Sequence, residues 1–381
     1  MGIKFRDRLA VIRNARYARF PTLTRLMLDP PRLPVTREKC ACPLSDAFLH
    51  RLSRAFGLSY EVRTEDGVWG KLMPQSQTFE RTLLEGDPDR LRPLIDDLFG
   101  GSILMGMAHT ALFISPQSPY GADYFHIRCR DALLALGEAL AVRPLMSNQQ
   151  TSWRTYRAGL KGELGDLAVR IEHALGHSLE PPTFGGPPVA LAGAFRLNPD
   201  SIRHAYVMHR IEQLGIAKDS GILEIGGGFG NVARYAWLRG FRNYTIIDLP
   251  FANAVQAAFL AGTLGEDMVA LHGEDRNAAI RLVPSTRKNE MKGQFGLALN
   301  MDSLPEIPHS EAVEYAQIIG TRAQLFLSIN QEASARGQHD IASIFTGQRG
   351  FHRRHRHPYW MEQGYAEELY ATACVATVAA D

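Results

Sequence analysis

The chain has 381 residues, 45% of them hydrophobic and 22% charged, with a formal net charge of +2 at pH 7. That composition excludes a disordered or fibrous chain, and the length suits two domains better than one. The near-neutral balance sets up no global field toward nucleic acid or an acidic surface, so no nucleic-acid partner is expected.

The first 26 residues carry Lys4, Arg6, Arg8, Arg13, Arg16, Arg19 and Arg25 against a single acid, Asp7. They lack the apolar core of a secretory signal, and Arg6 stands where a myristoylation motif needs Ser or Thr after Gly2. The segment reads as a solvated helix face packed on its own domain, with contact to an anionic surface as the alternative. Cys40, Cys42, Cys129 and Cys374 match no zinc or disulfide framework, and are expected as reduced thiols in a cytoplasmic protein. Residues 100–114, with His109 among them, are apolar but shorter than the ~20 residues of a membrane span. They are expected to form a buried helix.

Apolar residues at three- and four-residue steps predict helices over 123–140 (Phe125, Cys129, Leu133, Leu136, Leu140) and 151–175. Trp153 and Tyr156 on the latter suit a lid or a dimer face, and a homo-oligomer is expected. The Pro/Gly-rich stretch 180–193 reads as a boundary. Residues 1–194 are thus expected as a mainly helical N-terminal domain for covering, substrate binding or dimerisation, and 195–381 as a second domain.

In that second domain helix and strand patterns alternate. A helix is expected over 201–215, with His204 and His209 on its surface. A strand ends in glycines at 226–227, a helix covers 231–240, a strand ends in Asp248, and a helix covers 251–262. A third strand is expected over 268–275, ending in Glu274 and Asp275, with His272 as packing. A strand running into a polar loop over 295–307 and a fifth strand over 324–332 flank a helix over 312–321. This alternation predicts an α/β fold: a Rossmann-like, doubly wound, mostly parallel sheet. Such sheets bind ligands at the carboxyl ends of their strands.

The first of those ends reads LEIGGGFGN, residues 223–231. A strand, a glycine loop and a helix N-terminus bring bare backbone N–H groups to a ligand. The dinucleotide pattern G-x-G-x-x-G fails here, because Asn231 takes the place of its last glycine. The pattern that fits is E-x-G-x-G-x-G: Glu224, Gly226, Gly228 and Gly230. No pyrophosphate needs cradling; an amino-acid end lies against bare backbone, with a carboxylate to meet its ammonium group. Asp248, 18 residues after Gly230, is placed to accept both hydroxyls of a ribose. Glu274 and Asp275 are expected to accept from an adenine amino group. With Leu249 beside Asp248 and Asn300 at the end of the fourth strand, these residues make up the expected site for an adenosyl amino acid.

The region resembles class I S-adenosylmethionine-dependent methyltransferases: LEIGGGFG matches their first motif and YTIIDLP their second-strand acidic motif. More narrowly, GGGFGNVARYAW, YTIIDLP, NMDSLPEIP, FLSINQEA and HRHPYWMEQGYAEELY, in that order over about residues 195–370, resemble the sugar O-methyltransferase family. The resemblance implies S-adenosylmethionine as cofactor and methyl transfer to a hydroxyl of a sugar or glycosylated small molecule. An N-methyltransferase, or an O-methyltransferase of a non-sugar natural product, is the nearest alternative. A nicotinamide-dependent oxidoreductase and a silent cofactor-binding scaffold are further ones.

Methyl transfer to a hydroxyl needs an oriented acceptor and a base or metal for its proton. The loop Asn300–Glu306 offers Asp302 first and Glu306 second as base, against a plain reading in which Asp302 caps a helix and Glu306 is solvated. With Asn330, the two carboxylates make a candidate Mg2+ site. In FHRRHRHPYW, residues 351–360, His355 is a further candidate base, and Arg354, Tyr359 and Trp360 a candidate substrate wall. The plain alternative is a solvated strand, half of which faces away from any one cleft.

Overall fold

The computed structural model describes residues 33–38, 41–61, 76–100, 103–104, 106–108, 121–145, 164–332, 341–362 and 364–374. The basic N-terminal run, Cys40, His109, Trp153 and Tyr156 lie outside the described residues. In chain order, β1 (Val35–Arg37) precedes α1 (Asp46–Ser59), α2 (Gln77–Glu85), α3 (Pro88–Asp96), α4 (Gly121–Ala139) and α5 (Leu164–Leu175). Then come β2 (Pro188–Ala192), β3 (Phe195–Leu197) and α6 (Pro199–Gln213). After these, β4 (Ile222–Ile225), α7 (Asn231–Leu238), β5 (Tyr244–Asp248), α8 (Pro250–Leu264), β6 (Val269–Ala270) and β7 (Ile280–Pro284) follow. The chain closes with β8 (Phe295–Met301), α9 (His309–Arg322), β9 (Ala323–Gln331), α10 (Ile341–Gly347), β10 (Phe351–Pro358) and β11 (Tyr365–Thr372).

Two compact units interleave along the chain: residues 1–41, 96–210 and 360–363 form one, and 42–95, 211–359 and 364–381 the other. The boundary expected after residue 194 falls inside the first unit. Residues 42–95, expected with the N-terminal domain, belong to the second because polar and aromatic contacts tie them there. The Ser45 backbone N–H donates to Glu266 Oε1 (2.6 Å), and Phe79 packs edge-on against Phe251 with ring centres 6.1 Å apart.

The first unit contains α4 and α5 and a three-stranded antiparallel sheet in the order β1-β2-β3, an element the helical periodicity did not predict. Asn198 caps α6: its Oδ1 accepts from the N–H groups of Asp200 (2.9 Å) and Ser201 (3.1 Å). Arg128 and Glu362 form a buried ion pair at 3.1 Å. Cys129 is fully buried, and burial pushes its thiol well above the usual range, so it behaves as an apolar packing group. Residues 103–104 and 106–107 form turns, not the expected helix; Gly106 takes a positive φ of 85°, which breaks a helical run. His204 and His209 are half-buried rather than exposed.

The second unit is built on one sheet in the order β10-β11-β9-β8-β4-β5-β7-β6. Neighbours from β9 to β6 pair in parallel, and β11 runs antiparallel to both β9 and β10. This is a doubly wound, mostly parallel, Rossmann-like sheet. Every residue of β4 and β8 is buried, as parallel strands covered on both faces require. Under one face Leu223, Ala298 and Phe326 pack with Tyr315 of α9 and Phe345 of α10. Helix α8 is buried continuously from Pro250 to Ala261 and is apolar there but for Asn253 and Gln256. Ser45 caps α1 by accepting from the Phe48 N–H (3.1 Å). Among the described residues, no helix is long and apolar enough to cross a membrane.

One strand assignment is corrected. The strand beside β5 is β7, with Asp248 level with Pro284; the segment expected as the third strand yields only the two residues of β6 at the sheet edge. Glu274 and Asp275 therefore do not stand at the carboxyl end of the strand that follows Asp248.

Candidate functional site

The glycine loop connects β4 to α7 at the carboxyl edge of the sheet. Gly226, Gly228 and Gly230 take φ values of 70°, 56° and 92°, a left-handed path that any side chain strains. A Cβ on Gly226 would overlap the Ser303 side chain; one on Gly227 would come within 3.0 Å of Glu224 Oε2. Gly230 ends the loop as the N-cap of α7, and Gly226 to Gly228 remain partly accessible.

Three polar clamps fix this loop. Asn300 is wholly buried; its Nδ2 donates to the Ile225 carbonyl (2.8 Å) and to Ser303 Oγ (2.5 Å), and Ser303 Oγ donates to the same carbonyl (3.0 Å). Asn300, expected at the cofactor, thus holds the loop from beneath. Glu224 is only 2% exposed and accepts from the Tyr244 hydroxyl (2.9 Å). Burial pushes its carboxyl up to about 8; the Tyr244 hydrogen bond opposes this and the charge of Asp248 adds to it. It lies under Gly227 rather than open to a ligand.

The third clamp was missed by sequence reasoning. Gln256, 0% exposed, donates through Nε2 to Asp248 Oδ2 (2.7 Å) and to the Gly228 carbonyl (3.0 Å), and Asn253 Nδ2 donates to its Oε1 (2.8 Å). Asp248 Oδ1 accepts from the Leu249 N–H (2.8 Å). One side chain thus couples the half-buried acid at the end of β5 to the middle of the glycine loop. The available signal was a lone amide in the otherwise apolar run AVQAAFLAG.

Across the loop, the turn 302–306 bears the two candidate bases. Asp302 takes a φ of 71°, rare for a residue with a side chain, while its N–H donates to the Ile329 carbonyl (3.1 Å). Such strain collects at functional turns. Glu306, in the short 3-10 turn Leu304–Glu306, is half-buried. Burial, then the charge of Asp302, pushes its carboxyl up to about 7. Because Ser303 seats directly on Gly226, this carboxylate pair stands next to the loop. Asn330 Nδ2 turns to Ser328 Oγ (2.8 Å). Among the described residues, three His, Cys, Asp or Glu donors converge at His355, His357 and Glu367 and not around Asp302 and Glu306, so the Mg2+ expectation gains no support.

The remaining candidates separate. Arg51 of α1 binds Glu274 through two hydrogen bonds (2.7 and 2.9 Å). Burial pulls the carboxyl up, but these bonds outweigh it and hold Glu274 below the usual range. Asp275 is exposed. Glu274 is therefore a tether for α1, and the position argued for both acids at adenine is lost. In β10, Arg354 is exposed at a bulge, Tyr359 is 2% exposed in the core, and Trp360, in the other unit, packs edge-on against Tyr206 with ring centres 4.7 Å apart. Arg353 binds Glu368 and Arg356 binds both Glu332 and Glu368, which neutralises the basic run. His272 borders an apolar hollow between α1 and α8, lined by Leu52, Phe56, Pro250, Ala254 and Pro284, in keeping with packing.

No protein-family model matches the chain, and no curated protein matches it. Among solved structures it is similar to the magnesium protoporphyrin IX methyltransferase from Synechocystis with bound S-adenosylmethionine (12% identity over 45% of this chain and 78% of that one, TM-score 0.33). It is also similar to the methyltransferase domain of bacterial CtHen1 (12% identity over 44% of this chain and 97% of that one, TM-score 0.34). These likenesses are too distant to assign an activity.

Proposed function

We propose that the chain transfers a methyl group from S-adenosylmethionine to a hydroxyl of a small molecule, with a sugar or glycosylated acceptor following from the resemblance of its motifs. One arrangement carries the reading: a glycine loop with three left-handed residues, clamped through Gln256 to an acid at the end of the neighbouring strand. A Cβ at Gly226 or Gly227 would run into Ser303 or into Ile246 and Glu224, so the loop must be bare to sit on its supports, and Gly226 to Gly228 stay partly accessible on the side an adenosyl amino acid would approach. Gly226, Gly228 and Gly230 would hold the amino-acid end and Asp248 the ribose. When bound, S-adenosylmethionine supplies an electrophilic methyl group. Glu306 would take the acceptor's hydroxyl proton, with burial, and then the charge of Asp302, holding its affinity for protons near neutrality. A nicotinamide cofactor is disfavoured by Asn231, buried at the start of α7, and by the sheet: dinucleotide folds order parallel strands 3-2-1-4-5-6, whereas here β11 enters antiparallel before the edge.

Calorimetric titration with S-adenosylhomocysteine and, separately, with NAD tests this. Micromolar binding of the first and none of the second is expected; the reverse overturns the proposal. With binding in hand, an acceptor screen starts from free sugars and sugar nucleotides. In the same assay Gln256→Leu should weaken S-adenosylhomocysteine binding by roughly 5–30-fold, because the Gly228 carbonyl and Asp248 lose their shared donor. Unchanged affinity would mean the clamp is not part of the site.

A further inference from the structure

We propose that the β10–β11 hairpin carries a Zn2+ site made by His355, His357 and Glu367, separate from the glycine loop. In a strand, residues two apart share a face, and the β10 bulge between Arg353 and His355 resets the register so that His357 pairs directly with Glu367. The side chains of Arg353 and Arg356, between and before the histidines, go instead to Glu368. The two imidazole rings lie nearly parallel, 9° apart with centres at 5.1 Å. Each presents Nε2 at 3.5 Å from the same oxygen, Glu367 Oε1, and all three donor atoms lie within 4.8 Å of one another.

Those distances separate two explanations. A charged imidazolium–carboxylate hydrogen bond wants ~2.7–2.9 Å, and 3.5 Å is at the limit of any hydrogen bond. In a tetrahedral zinc site with bonds of ~2.0–2.1 Å, neighbouring ligand atoms stand ~3.3–3.4 Å apart. The observed nitrogen-to-oxygen separations are close to that edge length. Glu367 is 0% exposed, so its carboxyl is a donor fixed within the sheet rather than a mobile surface group. Two neutral imidazoles and one carboxylate form the three-ligand set of zinc sites that keep a fourth position open. The hairpin reaches the carboxyl edge of the sheet: Glu367 is level with Ile329, and Ile329 with Met301.

The test uses the full chain stripped of metal with a chelator and titrated with Zn2+ against a chromophoric zinc indicator. One tight equivalent is expected. His357→Ala, at a partly exposed edge-strand position, should weaken it by about 100-fold or more, and the pair His355→Ala/His357→Ala should abolish it, with metal-free melting unchanged. Absence of a tight equivalent, or one that survives the double substitution, overturns the proposal. As a second readout, Co2+ should give the intense visible bands of a four-coordinate site in the native chain and lose them in Glu367→Gln. A pale six-coordinate spectrum indifferent to that substitution would also overturn it.

Discussion

Replacing Glu306 by glutamine is expected to lower methyl-transfer turnover by about 10²–10⁴-fold while leaving S-adenosylhomocysteine affinity within about twofold. The group sits on the turn that Ser303 presses onto Gly226, and its proton affinity is centred near 7, where a base is half ready at neutral pH. In the native enzyme kcat/KM should therefore rise through pH 7 to a plateau. Asp302→Asn removes the negative charge that helps hold Glu306 high, so the rising limb should move to lower pH. A limb that stays at 7, or turnover that survives Glu306→Gln, would place the base elsewhere.

The same substitution has a consequence that needs no acceptor. An unfolded glutamate ionises near 4.5, the folded one near 7. Between those values the unfolded chain binds fewer protons, so stability falls as pH rises, and the loss is complete above 7. The difference corresponds to about 3 kcal/mol, which solvent around a half-buried group reduces to about 1–2 kcal/mol. Glu306→Gln should thus stabilise the protein by that amount at pH 8 and by nothing at pH 4. Thermal melts at the two pH values read it directly. Equal effects at both would mean that Glu306 ionises normally.

The parts of this molecule legible in sequence are those whose signal is local. The glycine loop, the apolar β4 and β8, and Asp248 at the end of β5 stand where periodicity and turn chemistry put them, since a buried parallel strand ending in glycine admits few other structures. What escaped depends on distant pairing. The segment 268–275 reads as a strand, yet only Val269 and Ala270 pair, because Arg51 of α1 draws Glu274 into an ion pair. The link between α1 and the loop after β6 joins residues 223 positions apart and leaves no periodic trace. FHRRHRHPYW reads as one basic cluster. Its residues are in fact divided between two faces by strand alternation and the bulge: Arg353 and Arg356 meet Glu368, Arg356 also meets Glu332, and His355 and His357 turn to Glu367. A Gln256 in a buried helix was visible as an oddity, but its two partners were not.

Asp248→Ala is expected to weaken S-adenosylhomocysteine binding by about 1–3 kcal/mol, roughly 5–150-fold in Kd. An ionised carboxylate has about four lone-pair directions. Leu249 N–H and Gln256 Nε2 each donate to one of its oxygens, which fixes the plane of the group to which a pair of ribose hydroxyls would donate. Alanine removes both acceptors, while Gln256 keeps its bond to the Gly228 carbonyl, so the loop should persist. An internal control comes from Glu224, whose carboxyl is raised in part by the charge of Asp248. In Asp248→Ala its titration should move down from about 8, readable by carboxyl-selective infrared or NMR titration. A lowered Glu224 titration with unchanged cofactor affinity would show that the substitution took effect in a folded protein and that Asp248 organises the loop without touching the ribose. A lowered titration with affinity lost as expected would assign both roles to the one carboxylate.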